Sequence, residues 1–314
     1  MATYDLNRTE LDGALGAHGV EESLIAEIIS TLEDVGVYNP QPDSEALTSI
    51  VHEGESPSDK AEVVIYADDI SVVDDVPRHA HAIVFTNDEG VVADIGGEGQ
   101  KIIVSGDGDD VLTMSGTSSD EVFAGGGDDV VIAGSLGDTI HGGLGDDTLL
   151  GGAQRDVIFG DEGDDYITGG HGQDSLVGGD GSDTVIGGDG NDALIGGAGD
   201  DSVIGNDGND LMLGGDGSDT IVGGDGMDTI SGGDGTDALS GGGGNDLFLG
   251  GDGNDTIVGG SGNDVLDLSD RSFDDLAAPI DTTGGVTTIS FTDGTEITTE
   301  SVEQIIFDDH VLKL

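Results

Sequence analysis

Hydrophobic and polar positions recur with a fixed nine-residue period from Ser105 to Asp267. The unit occurs eighteen times, and clean copies read GGDGSDTVI (178–186) and GGDGNDTIV (250–258). Its sixth position is Asp in every copy, and its eighth is always apolar. A short fixed period of this kind predicts a stacked repeat architecture. The eighth-position residues are Leu112, Val122, Val131, Ile140, Leu149, Ile158, Ile167, Leu176, Val185, Leu194, Val203, Met212, Ile221, Ile230, Leu239, Phe248, Ile257 and Leu266.

Each unit predicts one turn followed by one strand. The glycine-rich first six residues predict a tight turn, because glycine tolerates positive φ and close approach of backbones. The last three residues are often β-branched and predict a strand in which the eighth side chain points inward and its neighbours point outward. Two units complete one coil, so stacked coils would form two parallel sheets around a thin core.

The ninth position should face outward, yet it is apolar in twelve copies, including Ile132, Ile195 and Val258. β-Branched residues favour strands, which is one explanation. The alternative is an apolar stripe along each sheet that terminal segments cover or that mediates self-association.

The residues before the repeats predict two further segments. Residues 1–60 predict a small helical segment: Val20 to Val35 carry an apolar stripe at helical spacing, and a shorter helix from about Asp43 would place Leu47, Ile50 and Val51 on its inner face. Residues 54–59 are predicted to be a linker. Residues 61–104 contain short apolar runs at 61–67, 70–73, 82–86, 90–95 and 101–105, which predict irregular β rungs that cap the roll.

Residues 105–267 are the repeat array, and residues 268–314 predict a β-rich C-terminal cap. The connector contains one predicted helical turn around Phe273–Leu276. Residues 286–299 predict a β-hairpin with Asp293-Gly294 as its two-residue turn.

Composition sets the conditions under which this array can fold. The 314 residues include 60 Gly and 67 acidic but only 7 basic residues, so the net charge is −60. Such charge with a thin core predicts disorder unless counterions bind, and we therefore expect metal binding and folding to be one event. A nucleic-acid partner is not expected, because phosphate contacts need a basic patch. An anionic membrane would repel the chain unless calcium bridges the two.

Other sequence signals restrict the class of protein further. The chain has no Cys, which excludes a disulfide scaffold and thiol-ligated zinc. Its first residues lack the basic and apolar regions of a Sec signal peptide, and no apolar run predicts a transmembrane segment.

Stacking would bring the sixth-position Asp residues into two rows of turns. Carboxylates one layer apart would repel, and a divalent cation between successive turns removes that repulsion. An all-oxygen, carbonyl-rich and flexible cage suits Ca²⁺ better than Zn²⁺ or Mg²⁺. Row one contains Asp110, Asp129, Asp147, Asp165, Asp183, Asp201, Asp219, Asp237 and Asp255. Row two contains Asp120, Asp138, Asp156, Asp174, Asp192, Asp210, Asp228, Asp246 and Asp264.

The nonamer GGxGxDxUx resembles the calcium-binding repeat of the RTX (repeats-in-toxin, haemolysin-type) proteins. The resemblance covers about half of the chain. It implies a parallel β-roll, a right-handed β-solenoid, with several Ca²⁺ ions in its turns. It also implies export by bacterial type I secretion machinery through an uncleaved C-terminal signal, here within 268–314, and hence an extracellular location.

Turn carbonyls are expected to complete the calcium sites. We take them to be those of the glycines at the first, second and fourth positions. Representative carbonyls are those of Gly178, Gly179, Gly181, Gly187, Gly188, Gly190, Gly196, Gly197, Gly199, Gly214, Gly215, Gly217, Gly223, Gly224, Gly226, Gly232, Gly233 and Gly235. The turns at Asp120, Asp138 and Asp156 lack the fourth-position Gly, so we expect weak or absent sites there and metal in row two only from Asp174 onward.

Four histidines outside the Asp columns are weaker candidates. His79 and His81 stand two apart near a strand start and could face one side as a metal pair, but no third ligand is evident, so we expect ordinary polar surface. His141 and His171 are expected to be solvent-facing substitutions within the repeats.

No catalytic motif is present: the sequence has no HExxH, no GxSxG and no P-loop lysine. The favoured prediction is a secreted, non-enzymatic calcium-binding β-roll protein for surface or matrix association or calcium-dependent partner binding. One alternative is a small hydrolase or epimerase in residues 1–104. A lower alternative is an ice-binding solenoid, which position seven disfavours because it is Thr in only six copies.

Overall fold

The structure, a computed structural model, describes residues 3–5, 47–51, 63–66, 72–73, 80–85, 90–97, 99–250 and 252–314. These residues are nearly all β, with one short 3₁₀ helix (Phe273–Asp275) and no α-helix among them. The chain divides into two compact units, residues 1–151 and 152–314. Each unit is built from parallel strands stacked as a β-solenoid, which confirms the predicted fold class.

The first unit contains two stacks of strands. The β2, β3, β5, β7, β9 and β11 strands follow one another in parallel in one stack, and β4, β6, β8, β10 and β12 form the other. Their bounds are β1 (Thr3–Asp5), β2 (Leu47–Val51), β3 (Val63–Tyr66), β4 (Val72–Val73), β5 (Ala82–Phe85), β6 (Val92–Ile95), β7 (Ile102–Val104), β8 (Val111–Met114), β9 (Glu121–Gly126), β10 (Val130–Ile132), β11 (Thr139–Leu144) and β12 (Thr148–Ala153), whose last residues enter the second unit.

The strands before the repeats are irregular rungs, as predicted. Val64 aligns with Ile83, Ile83 with Ile103, and Ile103 with Val122, so these early coils differ in length and are longer than two repeat units. The spacing becomes two repeat units where Val122 aligns with Ile140. The five apolar runs of residues 61–105 thus each contain a strand, and the buried Val64, Ile83 and Ile103 continue the column of the repeats.

The expected short helix with Leu47, Ile50 and Val51 on its inner face is wrong. Leu47–Val51 is strand β2, paired in parallel with β3 and antiparallel with β1. Thr48, Ile50 and Val51 are β-branched, and pairing with neighbouring strands decides the conformation of such a segment. The helix predicted for Val20 to Val35 and the predicted linker lie outside the described residues.

The second unit repeats the same construction. Its strands are β13 (Val157–Glu162), β14 (Tyr166–His171), β15 (Ser175–Asp180), β16 (Thr184–Asp189), β17 (Ala193–Ala198), β18 (Ser202–Asp207), β19 (Leu211–Gly217), β20 (Thr220–Asp225), β21 (Thr229–Gly235), β22 (Ala238–Gly243), β23 (Leu247–Leu249), β24 (Asp252–Gly253), β25 (Thr256–Ser261), β26 (Val265–Leu268), β27 (Asp281–Thr283), β28 (Val286–Ser290), β29 (Glu296–Glu300), β30 (Gln304–Phe307) and β31 (Val311–Lys313).

Repeats of the second unit stack in an unbroken register of two repeat units per coil. Leu176 pairs with Leu194 in one stack, and Val185 pairs with Val203 in the other. All eighteen eighth-position side chains are at most 3% exposed, as predicted. The ninth position faces outward, also as predicted: Ile195, Leu213 and Val222 are each 37% exposed.

The strands are longer than the predicted three residues. Typical strands such as Thr184–Asp189 span six residues and include the first two glycines of the next unit. Glycine is a poor strand former alone, but here the neighbouring coils pair Gly188 with Gly170 in register. The first glycine of the next unit is buried beside the eighth residue. Each unit thus contributes two inward-facing residues to a narrow core, as Val185 and Gly187 do.

Close stacking of the turns explains the second and fourth glycines. Gly179 and Gly181 have φ of 132° and 148°, and a Cβ on Gly181 would collide with the carbonyl oxygen of Gly163 in the preceding coil. Asp161 and Asn206 adopt positive φ at the second position, a conformation that Asp and Asn tolerate better than most residues.

The C-terminal cap extends both stacks by one rung. Strand β29 pairs in parallel with β25, and β30 pairs in parallel with β26. The helical turn predicted near Phe273 is the 3₁₀ helix, in which Ser272 and Asp275 form a capping box. Beyond these rungs, β28 and β27 continue one stack antiparallel, and β31 ends the other.

The predicted hairpin is confirmed, but its two-residue turn is wrong. Ser290 pairs with Glu296, and the connection is a turn in which Gly294 N donates to Phe291 O at 3.1 Å. Thr292 and Asp293 are therefore the central residues, and Gly294, at φ 99°, follows them in the left-handed region. Asp293 Oδ1 accepts the Thr295 N–H at 2.9 Å, which favours this longer turn.

Candidate metal centre

The sixth-position Asp lies where each turn enters its strand, and its backbone joins the strand ladder. The Thr220 N–H, for example, donates to the Asp201 carbonyl at 2.8 Å. All eighteen of these Asp residues are at most 4% exposed. The structure therefore brings the predicted carboxylates out of solvent and stacks them in each unit at the predicted interval of two repeats.

One carboxylate oxygen of each stacked Asp is used by the fold. The Asp183 N–H donates to Asp201 Oδ1 at 2.8 Å, and Asp201 N–H donates to Asp219 Oδ1 at 2.9 Å. Row two repeats the contact, because Asp192 N–H donates to Asp210 Oδ1 at 2.8 Å. Each Asp thus bonds the backbone of the preceding coil.

The second carboxylate oxygen is buried without a donor. Native structures rarely leave a buried polar atom unsatisfied, so a repeated exception indicates a missing partner. Among the described residues, the Oδ2 atoms without a hydrogen-bond partner include those of Asp129, Asp174, Asp183, Asp192, Asp201, Asp210, Asp219, Asp228, Asp237, Asp246 and Asp264.

A bare glycine lies beside ten of these eleven Oδ2 atoms, and the first position beside Asp129 is Ala124. A Cβ on Gly196 would collide with Asp201 Oδ2 and would lie 2.6 Å from the carbonyl oxygen of Gly214 in the next coil. The first-position glycine therefore leaves space that any other residue would fill. The second- and fourth-position carbonyls, such as those of Gly179 and Gly181, point at the turn of the following coil.

Burial raises the pKa of these carboxyls. The pKa of Asp201 rises to about 7, chiefly through burial, although the accepted Asp183 N–H opposes the shift and the charges of Asp183, Asp219 and Asp200 add to it. The same causes raise the pKa of Asp129 to about 8. Ionised carboxylates are thus costly here without a cation.

The donor set fits calcium. Within the described part of the chain, no three His, Asp or Glu side chains converge as a metal-binding cluster. Backbone carbonyls lie beside the sixth-position carboxylates, as Gly214 O does in the space beside Asp201 Oδ2, so a bound ion would meet oxygen donors of both kinds. Such an oxygen-only set suits Ca²⁺, which accepts about 6–8 oxygens, and does not suit Zn²⁺.

The RTX calcium-binding nonapeptide repeat model matches residues 114–270 in overlapping segments, which is half of the chain. The chain belongs to the RTX repeat family. It is therefore a calcium-binding repeat protein, and its nonapeptide array is a β-roll. No curated protein matches the chain.

The RTX match begins after Asp110, and the structure shows that this first turn differs from the others. The Ser105 hydroxyl donates to Asp110 Oδ2, and the Val91 N–H donates to Oδ1 at 2.5 Å. Both carboxylate oxygens are thus engaged by protein donors. Asp110 was predicted as a row-one ligand, and it lacks the free Oδ2 that Asp129 and Asp201 offer.

The early row-two turns, predicted to be weak sites, also offer other partners to their Asp residues. Gly134 N–H donates to Asp138 Oδ2 at 3.1 Å. The Lys101 N–H donates to Asp120 Oδ1 at 2.8 Å, and the Lys101 ammonium attracts the same carboxylate. In the Asp156 turn, the fourth position is Gln154, held at a φ of 71° that glycine adopts more readily.

Sequence reasoning missed two cations near the Asp columns. Lys101 is 1% exposed, and burial lowers its pKa while the Asp120 charge opposes that shift. Arg271 lies near Asp255, packs 4.6 Å from the Phe291 ring centroid and bonds Asp293 at 3.0 Å. Lys101 could have been found from the sequence. The chain has only 7 basic residues, and Lys101 lies about one coil before Asp120, which places it beside that carboxylate in the stack.

The histidines lie outside the Asp columns. His171 is exposed and contacts Asp189 at 2.8 Å, consistent with the predicted solvent-facing role. His141 differs, because its half-buried ring stacks on Phe123 at 5.0 Å. His81 is exposed, and His79, its predicted pair, lies outside the described residues. Where the structure is described, no helix has the length and apolar character to cross a membrane.

Proposed function

We propose that this RTX protein folds when Ca²⁺ binds between successive turns of its array. The observation that carries the proposal is the repeated buried Oδ2 atom without a donor, seen at Asp174, Asp201 and nine further sixth-position residues. Each such atom is a carboxyl oxygen without a hydrogen-bond partner, and solvent cannot reach it. Calcium at these positions would supply that partner.

Different positions of the repeat would have different roles in calcium binding. The sixth-position Asp would offer Oδ2 to the ion while Oδ1 keeps the N–H of the preceding coil, as in the 2.8 Å bond from Asp183 to Asp201. The first-, second- and fourth-position carbonyls would complete the oxygen shell. The bare Cα of the first glycine, such as Gly196, keeps side chains out of this space. The ion would supply the charge that offsets the stacked carboxylates.

Charge explains why folding would depend on the ion. The net charge is −60, and the array has about one large core side chain per repeat. Folding must also overcome chain entropy of about 1–2 kcal/mol per residue. Because metal would bind the stacked state and not the separated turns, its binding free energy becomes folding free energy.

A calcium-dependent fold suits a chain that is exported before it folds. Cytosolic calcium is low, so the chain would stay unfolded for type I secretion and fold outside the cell. The RTX family and the acidic composition support this assignment. We assign the folded protein to surface or matrix association, or to calcium-dependent partner binding, through the largely uncharged outward faces of its sheets, where Ile195 and Leu213 are exposed.

Two other functions have less support. An enzyme in residues 1–104 stays an alternative without a supporting observation, since much of that range lies outside the described residues. An ice-binding face would need a regular outward array of Thr, and the stacked positions Ser175, Ala193 and Leu211 do not provide one.

Small-angle X-ray scattering of the full chain tests calcium-driven folding. In EDTA at pH 7.5, we expect a radius of gyration near the value for an unfolded chain of this length, about 63 Å. Addition of millimolar Ca²⁺, but not Mg²⁺, should reduce it markedly. A compact chain in EDTA with an unchanged radius in Ca²⁺ would refute the proposal.

A further inference from the structure

At seven places in the described array, the residues before successive sixth-position Asp residues, position five of the repeat, form a second ladder on the outside of the turns. The side-chain oxygen of one such residue accepts the N–H of the position-five residue in the next coil. Ser218 N–H donates to Asp200 Oδ1 at 2.8 Å, and Met227 N–H donates to Asn209 Oδ1 at 2.7 Å. The further bonds of this kind join Asp128 to Asp109, Asp146 to Asp128, Ser182 to Asp164, Asn209 to Asn191 and Asn263 to Asn245.

The two rows build this ladder from different residues. Every acceptor in row one is an Asp, and every acceptor in row two is an Asn, among the bonds that the structure describes. Asp and Asn have the same shape and present the same Oδ1 acceptor. The hydrogen bond is therefore common to both rows, and only the charge differs.

The position-five charge reaches the liganding carboxylates. Asp200 contributes to the negative field at both Asp201 and Asp219, one in its own turn and one in the next. Asp164 contributes in the same way at Asp183, in the turn that follows its own. The row-two carboxylates of Asp210 and Asp228 have neutral Asn209 in the corresponding place.

We propose that position five tunes the calcium affinity of each turn, and that a carboxylate there, as at Asp164 and Asp200 in row one, makes the turn bind Ca²⁺ more tightly than a neutral Asn does, as at Asn209 in row two. The inference rests on the proposed function. The Oδ1 acceptor holds successive turns in register in both rows. The extra charge in row one repels the Asp ligands in the metal-free fold but attracts a doubly charged ion more strongly. Turns with a position-five carboxylate would then contribute more to the cooperative calcium transition than turns with a neutral residue there.

The chain supplies a matched pair of variants. Asp200→Asn removes the charge from row one and keeps the acceptor for Ser218, while Asn209→Asp adds a charge to row two and keeps the acceptor for Met227. Asp200→Ala removes both charge and acceptor. Position five is exposed in these turns, so the isosteric changes leave the core intact.

The experiment is a calcium titration of the full chain against a chromophoric chelator in 50 mM KCl. We expect Asp200→Asn to weaken, and Asn209→Asp to strengthen, the apparent binding constant by roughly twofold to fivefold, the effect of a single exposed charge pair. Both differences should shrink in 1 M KCl, because salt screens charge. The loss in Asp200→Ala should persist there, because a missing acceptor is not screened.

Wild-type behaviour separates failure of the proposed function from failure of this inference. If the wild-type chain does not bind Ca²⁺, the proposed function fails. If it binds, but both isosteric variants match it at low salt, the tuning role of position five is refuted. An Asp200→Asn chain that fails to reach the wild-type far-UV spectrum at saturating Ca²⁺ also refutes it, since the acceptor is preserved.

Discussion

Substitution of one first-position glycine by alanine tests the space beside the buried Oδ2 atom. A Cβ on Gly196 would collide with Asp201 Oδ2 and lie 2.6 Å from Gly214 O and 2.8 Å from Asp201 Cβ. The φ of Gly196 is not in the left-handed region, so alanine meets no backbone penalty there. Any destabilisation by Gly196→Ala therefore comes from displacement of the carboxylate and the turn, against the small stabilisation that alanine gives through the unfolded chain.

Overpacking of this kind costs about 1–3 kcal/mol. With a denaturant dependence of about 2 kcal/mol per molar urea, that cost lowers the urea midpoint of the calcium-bound protein by about 1 M. The calcium midpoint of folding should rise as well, because the ion loses a correctly placed ligand.

Gly243→Ala is the matched control. Gly243 occupies the third position, its φ is also outside the left-handed region, and the nearest atom to its added Cβ is Asp225 Oδ1 at 3.2 Å. Urea unfolding by far-UV circular dichroism in 5 mM Ca²⁺ compares the two variants. If Gly196→Ala unfolds at the same urea concentration as Gly243→Ala, the glycine does not protect a metal position and the reasoning is wrong.

Three further predictions follow from the same geometry. Asp201→Asn should raise the calcium midpoint of folding measured by circular dichroism yet still fold at saturating Ca²⁺, because Asn keeps the Oδ1 acceptor for Asp183 N–H; an unchanged midpoint would argue against Asp201 as a ligand. In EDTA, acidification from pH 8 to about pH 4.5 should increase β structure. The folded pKa of Asp129 (about 8) and of Asp192 (about 6) exceeds the ordinary value of 3.8, so the folded chain binds more protons and its metal-free stability falls as pH rises through this window. A β signal that decreases on acidification would contradict the burial argument. Phe248→Ala should cost the calcium-bound protein about 3–5 kcal/mol in urea unfolding, because Phe248 is fully buried; a loss below about 1 kcal/mol would mean that the thin core contributes little.

Residue periodicity predicted the repeated part of the fold well. Leu194 and Asp201 belong to the always apolar eighth and the invariant sixth position of the repeat. The nine-residue period determines which residues of these two positions align in coils two units apart. The inward eighth side chain and the buried sixth carboxylate both follow from alternation along a short strand. The choice of calcium followed from oxygen-donor chemistry.

The parts that depend on neighbouring coils could not be predicted in the same way. Glycine alone argues against a strand, yet Gly188 continues one because Gly170 beside it has the same conformation. Leu47–Val51 becomes a strand because β3 pairs with it. Both cases are decided by contacts between coils and not by local propensity.

The most direct test of calcium-driven folding is a far-UV circular dichroism titration of the full chain from EDTA into Ca²⁺, with Mg²⁺ as the control. The account predicts little β signal in EDTA at pH 7.5 and a cooperative gain with Ca²⁺ alone at about 0.1–1 mM, the range of extracellular calcium modules. A full β spectrum already present in EDTA would contradict it, because core packing would then fold the array without the ion.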